Sequence, residues 1–377
     1  MGALQRQAGT EGEPCSSSVH EPGPIRGRIG SPAPRAVTPG SIQESRTGRP
    51  MPVESTLGSW MIGGLDIVAS DCTEGERKGR LSRRGFLTAG CGLLAGGATA
   101  CLTGPFYATQ LEPQWIEVTR PEIEVPDLPE SLEGVTVAQL GDFHLGPHVS
   151  RDRVRKAVEI TNDLEPDLIV LTGDFVSGSA THSAACAAEL AALEARRGVY
   201  AVLGNHDNWT DPDEVAYHVS GAGIEVLRDE VRTLEVGDSR LWLLGIEDTG
   251  YTAGFFGGFF SDFKSLWEDK RQRLAQMLGE LPEEEPRLLL VHNPDFTEML
   301  PGGRVDLALC GHTHGGQVRV PGFGAPVVPS YFGDKYASGL VQGPSTLVYV
   351  NRGIGLIAPA VRFNCRPEVT LLRLRRA

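Results

Sequence analysis

Five short motifs in the second part of the chain contain the residue types that bind divalent metal ions, and they include five of its nine histidines. Imidazole, carboxylate and amide ligands together suit manganese, iron or zinc. Two such ions about 3.5–4 Å apart hold a phosphoryl group and activate water for in-line attack. The motifs therefore predict a binuclear metal site for phosphoester hydrolysis. Their polar residues are Asp142, His144, Asp174, Asn205, His206, Asp207, His292, His312 and His314.

Each candidate metal ligand lies just after the carboxyl end of a predicted strand. In α/β sheets, ligands bind at this edge because the loops that follow neighbouring parallel strands converge there. The candidate ligands are spread over more than half of the globular region, yet all of them are predicted to lie at the same edge of the sheet. The predicted strands that precede them are 135–140, 167–172, 199–203, 287–291 and 305–310.

The remaining hydrophobic pattern predicts an α/β domain over residues 111–377. Helical periodicity indicates helices at 150–163, 181–196, 211–221 and 264–280. Further strands are predicted within 224–246 and near 317–320, 346–351 and 367–374.

The ordered motifs D-x-H, G-D, G-N-H-D, H and G-H-x-H resemble those of the calcineurin-like metallophosphoesterases, across about residues 120–377. The resemblance implies a calcineurin-like metallophosphoesterase fold, with two mixed β-sheets forming a sandwich flanked by helices. It also implies two divalent ions, either manganese, zinc or iron. By position, Asp174 bridges them. The first ion is bound by Asp142, His144 and His314, and the second by Asn205, His292 and His312.

The same resemblance assigns His206 to the leaving group, which it stabilises or protonates, and Asp207 to orienting the His206 ring. Arg352 and Arg362 are candidate phosphate contacts, with pairing to core carboxylates as the alternative. Asn293 and Asp295 have two open interpretations, support of His292 or capping of the following helix.

Two sequence features place the chain within the superfamily. The Gly173–Gly178 segment lacks the arginine of the protein phosphatase motif G-D-x-V-D-R-G. The segments 311–318 and 349–368 look like a bacterial branch of exported or membrane-associated enzymes, some of which cleave a lipid-linked pyrophosphate. The expected substrate is therefore a phosphodiester or pyrophosphate, with phospholipids and lipid pyrophosphates among the candidates.

Composition weighs against the alternatives. The net charge of −13 disfavours a nuclease of the same superfamily, because nucleic acids attract basic grooves. A non-catalytic scaffold is disfavoured because every ligand position is filled. Four of the seven cysteines precede residue 110 and no CxxC spacing occurs, so we expect no disulfide framework, although a single bond stays open; Cys310 is expected to be a buried strand residue.

The first part of the chain predicts export. Residues 1–80 are expected to be a disordered extension, part of which is not translated if Met51 or Met61 is the start. Residues 81–108 contain Arg83 and Arg84 ahead of an apolar stretch, like a twin-arginine signal. It predicts a periplasmic or cell-envelope enzyme that uses the twin-arginine translocase, with the signal cleaved after Ala100, lipidated, or retained as an anchor.

A loop rich in aromatic residues follows residue 249. Tyr251 and four phenylalanines alternate with glycine over residues 250–260. This pattern predicts an aromatic lip that contacts acyl chains or the membrane surface, or else a loop that folds onto its own domain.

Overall fold

The structure is a computed structural model that describes residues 103–250 and 263–377. The strands are β1 (Glu117–Thr119), β2 (Glu122–Val125), β3 (Thr136–Leu140), β4 (Leu168–Leu171), β5 (Val199–Ala201), β6 (Glu225–Val226), β7 (Glu230–Val236), β8 (Ser239–Ile246), β9 (Arg287–Val291), β10 (Leu307–Cys310), β11 (Gly339–Gln342), β12 (Leu347–Val350) and β13 (Glu368–Arg376). The α-helices are α1 (Arg151–Asn162), α2 (Ser183–Leu190), α3 (Asn205–Thr210), α4 (Pro212–Gly221) and α5 (Phe263–Gly279).

Short helical turns connect these elements. One is a π-helical turn, Tyr107–Leu111. The others are 3₁₀ turns at Glu112–Gln114, Glu130–Leu132, Ala180–His182, Pro294–Met299, His314–Gly316 and Gly333–Tyr336.

The strands form two mixed sheets. The first has the order β1-β13-β3-β4-β5-β6, with β2 also paired to β13. Strands β3 to β6 are parallel, and β13 runs antiparallel to β3. The second has the order β11-β12-β10-β9-β8-β7, in which β8, β9, β10 and β12 are parallel. Parallel strands dominate the centre of both sheets, so both present a row of carboxyl ends at which a site can form.

The two sheets pack face to face around a shared apolar core. Val137 and Val170 of the first sheet belong to the same buried cluster as Leu243, Leu290 and Leu309 of the second. Successive side chains of a strand point to opposite faces of the sheet. Every second residue therefore points away from this core, and the outer face of each sheet must also be covered. Helices provide that cover on each outer side, which confirms the predicted helix-flanked α/β sandwich.

The strands that lead into the predicted site are confirmed, with boundaries within two residues of the sequence prediction. The predicted strand at 317–320 is wrong. Only isolated pairs form there, Val318 with Phe363 and Val320 with Gly324, because glycines and a tight turn interrupt the ladder. The sequence analysis also missed the short strands β1, β2 and β11, which are too short to show a period.

The helix predicted over 181–196 ends early, at Leu190. The reason is the Asn162 side chain, which donates to the Ala192 carbonyl and accepts from the Glu194 amide at 3.0 Å. These bonds offer the backbone an alternative to helical pairing, so the chain turns away from the helix axis.

The structure also bears on the predictions about the cysteines and about a membrane anchor. Cys186, Cys310 and Cys365 are free and buried, and Cys310 lies in β10 as expected. Within residues 103–250 and 263–377, no helix combines the length and apolarity needed to cross a bilayer. The twin-arginine motif and the aromatic run from Tyr251 onward lie outside the described residues.

Candidate metal centre

The predicted ligands converge at one edge of the sandwich. Asp142 and His144 follow β3, Asp174 follows β4, and Asn205 opens α3 after β5. The second sheet contributes the three remaining histidines. These are His292 after β9 and both His312 and His314 after β10. Every one of these seven side chains is buried, so the site lies beneath the surface at the junction of the two sheets.

One group of ligands contains Asp142, His144 and His314. The two imidazole Nε2 atoms lie 2.9 Å apart. His314 Nε2 is 3.4 Å from Asp142 Oδ1, and His144 Nε2 is 3.8 Å from the same oxygen. These three atoms surround a common point, as ligands of a single cation do.

A second group contains Asn205, His292 and His312. The amide oxygen Oδ1 of Asn205 lies 2.9 Å from His292 Nε2 and 2.8 Å from His312 Nδ1. The two imidazole nitrogens are 3.2 Å apart. Two nitrogen atoms and one oxygen atom again face one point, so this group forms a second candidate ion site.

Asp174 lies between the two groups. Its Oδ2 atom is 3.3 Å from His144 Nε2 in the first group and 3.3 Å from His292 Nε2 in the second. Its Oδ1 atom accepts a hydrogen bond from the backbone amide of His206 at 2.8 Å. Asp174 therefore has the position of a carboxylate shared by two cations.

The backbone at the ligands has an unusual conformation. Asp142, His144, Asp174, His312 and His314 all have positive φ, between 48° and 73°. Non-glycine residues seldom adopt this left-handed region, and such conformations cluster at functional sites. The conformation turns each side chain out of its strand direction and into the space between the sheets.

Glycines next to the ligands make room for the carboxylates. A Cβ atom on Gly204 would lie 2.2 Å from Asp174 Oδ1, and one on Gly311 would lie 2.3 Å from Asp142 Oδ2. No side chain is tolerated at such distances without displacing a ligand. The glycines of the G-N-H-D and G-H-x-H motifs are therefore required by the close packing of backbone on carboxylate.

The donor set fits a divalent cation. His292 Nδ1 lies 2.7 Å from the Thr172 carbonyl and donates its proton there, so its Nε2 can present a lone pair to the site. His144 and His314 point their Nε2 atoms at each other, and in the described structure their Nδ1 atoms are buried without a partner. Nitrogen and oxygen lone pairs gathered this closely fit a site for divalent cations.

Burial and neighbouring charges shift the pKa values of several of these groups in opposite directions. Burial opposes charge on Asp174, but His292, His206 and His144 hold the pKa of Asp174 well below its usual range. Burial also opposes charge on His292, but the attraction of Asp174 raises the pKa of His292 to about 10. Burial lowers the pKa of His312 to about 3, assisted by His292. A proton on His292 therefore occupies the place of a cation.

Comparison with known proteins agrees with this site. The family described as calcineurin-like phosphoesterase matches residues 135–316. A Bacillus subtilis protein named uncharacterized metallophosphoesterase YkuE is 33% identical over 300 residues, covering 78% of this chain and 98% of that protein. The chain belongs to the calcineurin-like metallophosphoesterases. The family makes it a metal-dependent phosphoester hydrolase.

Another relative of this metallophosphoesterase is the Escherichia coli protein named phosphodiesterase YaeI. It is 30% identical over 298 residues, covering 78% of this chain and 99% of that protein. Among solved structures, the Haemophilus influenzae NAD nucleotidase NadN has a TM-score of 0.38 and 16% identity, covering 58% of this chain and 45% of that one. That likeness is too low to add to the family assignment.

His206 is a partly buried residue beside the first group of ligands. Its ring meets the His144 ring edge-on at 4.6 Å between centroids and packs against Trp209 at 4.5 Å. Burial lowers the pKa of His206 to about 4, although Asp174 opposes this. The imidazole is therefore neutral at neutral pH.

The role predicted for Asp207 is wrong. Its carboxylate does not hold the His206 ring. Oδ2 accepts from the Gly204 amide at 2.9 Å, and Oδ1 accepts from the amides of Phe175 and Val176. Its place at the third residue of α3 turns it back toward the β4 loop. Asp207 therefore ties the loop of Asp174 to the loop of Asn205, which positions ligands without touching substrate.

The two arginine candidates do not face the site, so their assignment as phosphate contacts is wrong. Arg352 pairs with Glu368 at 2.8 Å and Glu117 at 2.9 Å. Arg362 is fully buried and donates to backbone carbonyls, including those of Arg352 and Gly355, both at 2.8 Å. Arg352 thus pairs with carboxylates, as the alternative interpretation predicted, whereas Arg362 is held by backbone carbonyls instead.

The structure also decides the role of Asn293 and Asp295. Asn293 Oδ1 accepts from the Asp295 amide and caps the following turn, which confirms capping. The Asp295 carboxylate accepts hydrogen bonds from Ser330 Oγ, at 2.5 Å, and from the Tyr331 amide. Neither contact involves the His292 ring.

One residue near the site escaped the sequence analysis. Asp248 is buried, and its Oδ2 atom has no hydrogen-bond partner among the described residues. Burial raises the pKa of Asp248 to about 7, although His292 opposes this. It follows the carboxyl end of β8, which neighbours β9 in parallel. The ligands also follow the carboxyl ends of strands, so this position could have identified Asp248 from the sequence.

Proposed function

We propose that the chain hydrolyses a phosphodiester or a pyrophosphate with two divalent ions, manganese, zinc or iron, held on either side of Asp174. One observation carries the proposal: a single carboxylate oxygen lies 3.3 Å from an imidazole nitrogen of each ligand group. A shared carboxylate of this kind fits two ions at the separation that phosphoryl transfer requires.

The side chains then have distinct tasks. Bound ions supply positive charge for the phosphoryl oxygens and lower the pKa of water. Asp142, His144 and His314 would hold one ion, and Asn205, His292 and His312 would hold the other. His206 stands beside the first group and donates a hydrogen bond to the leaving oxygen, which offsets the charge that develops there.

A diester or pyrophosphate substrate is favoured for two reasons. The relative YaeI carries the name phosphodiesterase. No arginine that the sequence offered for a terminal phosphate faces the site, because Arg352 and Arg362 are engaged elsewhere. A phosphodiester carries one negative charge and a phosphomonoester up to two, so a site whose positive charge comes from two cations without an added arginine favours the diester.

The test is a hydrolysis screen of protein depleted of metal and reloaded with manganese, zinc or iron. The substrates are a chromogenic phosphodiester, its phosphomonoester, a glycerophospholipid and a nucleotide-linked lipid pyrophosphate. We expect turnover of a diester or pyrophosphate that exceeds that of the monoester and disappears on metal removal. Monoester turnover alone would reject the substrate class, and undiminished turnover without metal would reject the mechanism.

Export by the twin-arginine route is part of the proposal. The supporting observation is the Arg83-Arg84 pair followed by Gly85-Phe86-Leu87 and an apolar stretch. We propose that the enzyme acts in the periplasm or cell envelope. Replacing both arginines with lysine should retain the protein in the cytoplasm, as measured by fractionation. Normal export of that variant would reject this route.

A further inference from the structure

An exposed apolar face lies where the described chain begins. It consists of Phe106, Leu111, Trp115, Val320, Phe323 and Phe363. Phe323 is 87% exposed, and Phe106, Leu111 and Trp115 are each more than half exposed. Single exposed apolar residues are common, but a group of them on neighbouring segments indicates an interaction surface.

Backbone contacts join the segments of this apolar face. Phe363 donates to the Gln317 carbonyl at 2.9 Å, and Arg319 donates to the Phe363 carbonyl at 2.8 Å. The Tyr107 ring meets the Phe363 ring edge-on, 6.5 Å between centroids. Residues 320–324 form a tight hairpin that projects Phe323. The N-terminal helical turn, the 361–366 segment and the hairpin therefore belong to one surface.

Basic residues border the apolar face, although the whole chain has a net charge of −13. The Arg366 guanidinium lies over the Trp115 ring at 3.5 Å, and Arg319 donates to Ser338 Oγ at 3.0 Å. Neither forms an ion pair with another described residue. Arginine beside tryptophan at the edge of an apolar surface matches the headgroup region of a bilayer, where phosphates meet acyl chains.

The sequence leading into the face points to the same partner. No Asp, Glu, Lys or Arg occurs from Gly85 to Leu111. In the last part of this stretch, which the structure describes, Phe106 and Leu111 face solvent instead of packing on the domain. An uncharged sequence that ends in two outward-facing apolar side chains, Phe106 and Leu111, fits insertion into lipid.

We propose that the apolar face docks on the surface of a phospholipid bilayer, with Phe323 and Phe106 inserted among the upper acyl chains. The hairpin begins only six residues after the metal ligand His314. Docking therefore brings the segment that follows the metal ligands against the headgroups. This orientation bears on a lipid substrate only through the proposed function, whereas the docking itself is independent of it.

Hydrogen exchange on the full-length protein tests the docking. The amides of Phe323 and Gly324 both donate to the Val320 carbonyl at 3.0 Å and report on the hairpin. With vesicles of phosphatidylcholine and phosphatidylglycerol, we expect their exchange to slow about tenfold or more, while exchange in α4 stays the same. Unchanged hairpin exchange in vesicle-bound protein would overturn the proposal, because attachment would then use another part of the chain.

Variants separate the face from any other attachment. Phe323→Ser combined with Phe106→Ser should return hairpin exchange on vesicles to its vesicle-free rate. The control Tyr217→Ser, which removes an equally exposed ring from α4, should retain the slowed exchange. Hairpin protection that rises with protein concentration in the absence of vesicles would assign the face to a second copy of the chain and overturn the proposal.

The same variants keep this inference distinct from the catalytic proposal. The double serine variant should hydrolyse a soluble diester at the normal rate, since neither residue touches the metal ligands. Loss of docking with normal turnover would support the apolar face as the docking surface. Normal docking by protein that hydrolyses no phosphoester rejects the proposed function and leaves the face standing.

Discussion

The metal ligands combine two properties that are costly for a folded protein. They bring seven polar side chains into a buried space, and five of them adopt a left-handed backbone. Each such conformation costs on the order of 1–3 kcal/mol and persists only where the surroundings impose it. Cation binding would offset this cost, and the negative charge of Asp174 is the one that both ligand groups share.

Replacing Asp174 with Asn tests the role of this charge. The amide keeps the shape of the carboxylate but cannot bridge two cations with a negative charge. We expect metal content, measured by elemental analysis, to fall from about two ions to one or none per chain, with loss of turnover. His148→Asn serves as a control because this histidine is outside both ligand groups. Two ions retained in the Asp174→Asn protein would contradict the bridging role.

His206→Ala tests the leaving-group role. We expect turnover to fall by about 10²–10⁴-fold with metal content unchanged, as for loss of one positioned proton donor. The turnover of a substrate with a highly acidic leaving group should fall less, because the departing oxygen needs less stabilisation. An equal loss for leaving groups of all pKa values, or loss of metal, would show that His206 supports the ions instead.

Metal binding should depend on pH through His292. Its pKa is raised to about 10 without metal, so the ring is protonated at neutral pH and a cation must displace that proton. Affinity should therefore rise with pH, by about tenfold per pH unit for each proton displaced. Calorimetry in buffers of different ionisation enthalpy measures this proton release. Affinity independent of pH between about 6 and 8 would contradict it.

At the scale of elements, each strand positions the ligand that follows it, and hydrogen bonds between the loops lock the ligands in place. The sequence predicts the strands well because buried parallel strands are continuous apolar runs. It could not predict how Asp207 or Arg362 are used. Both act through backbone groups far away in sequence, such as the Phe175 amide and the Gly355 carbonyl. The residue type shows that a buried carboxylate or guanidinium needs hydrogen-bond partners. Only the fold shows which backbone groups those partners are.

Asp207→Ala tests the loop-locking role. Three backbone amides lose their acceptor inside a buried region, which should cost on the order of 1–3 kcal/mol in the free energy of unfolding. Urea unfolding of the metal-free protein measures this. The control Asp213→Ala removes a largely exposed partner of Arg228 and should cost less than about 1 kcal/mol. Equal effects would contradict the assigned role.

At the scale of the whole molecule, the candidate metal centre joins the two sheets. Asp142, His144, Asp174 and Asn205 come from the first sheet, while His292, His312 and His314 come from the second. The alternation of parallel strands and helices made the sandwich predictable from sequence together with the family motifs. The apolar face was not predictable, because exposure of Phe106 and Phe323 depends on how distant segments pack.

Metal removal should therefore destabilise the entire fold. Ions bound only to the native state add about 4 kcal/mol at a concentration near a thousand times their dissociation constant. We expect a chelator to lower the thermal midpoint of the protein clearly, and added manganese or zinc to restore it. A midpoint that does not respond to chelation in protein shown to have lost its metal would contradict the joining role.

The most direct test of the two-ion centre is a crystal structure of the metal-loaded enzyme with anomalous scattering measured at the absorption edge of the added metal. The account predicts two anomalous peaks about 3.5–4 Å apart, with Asp174 bound to both. A single peak, or two peaks of which only one contacts Asp174, in crystals of protein that is active on the phosphodiester would contradict it.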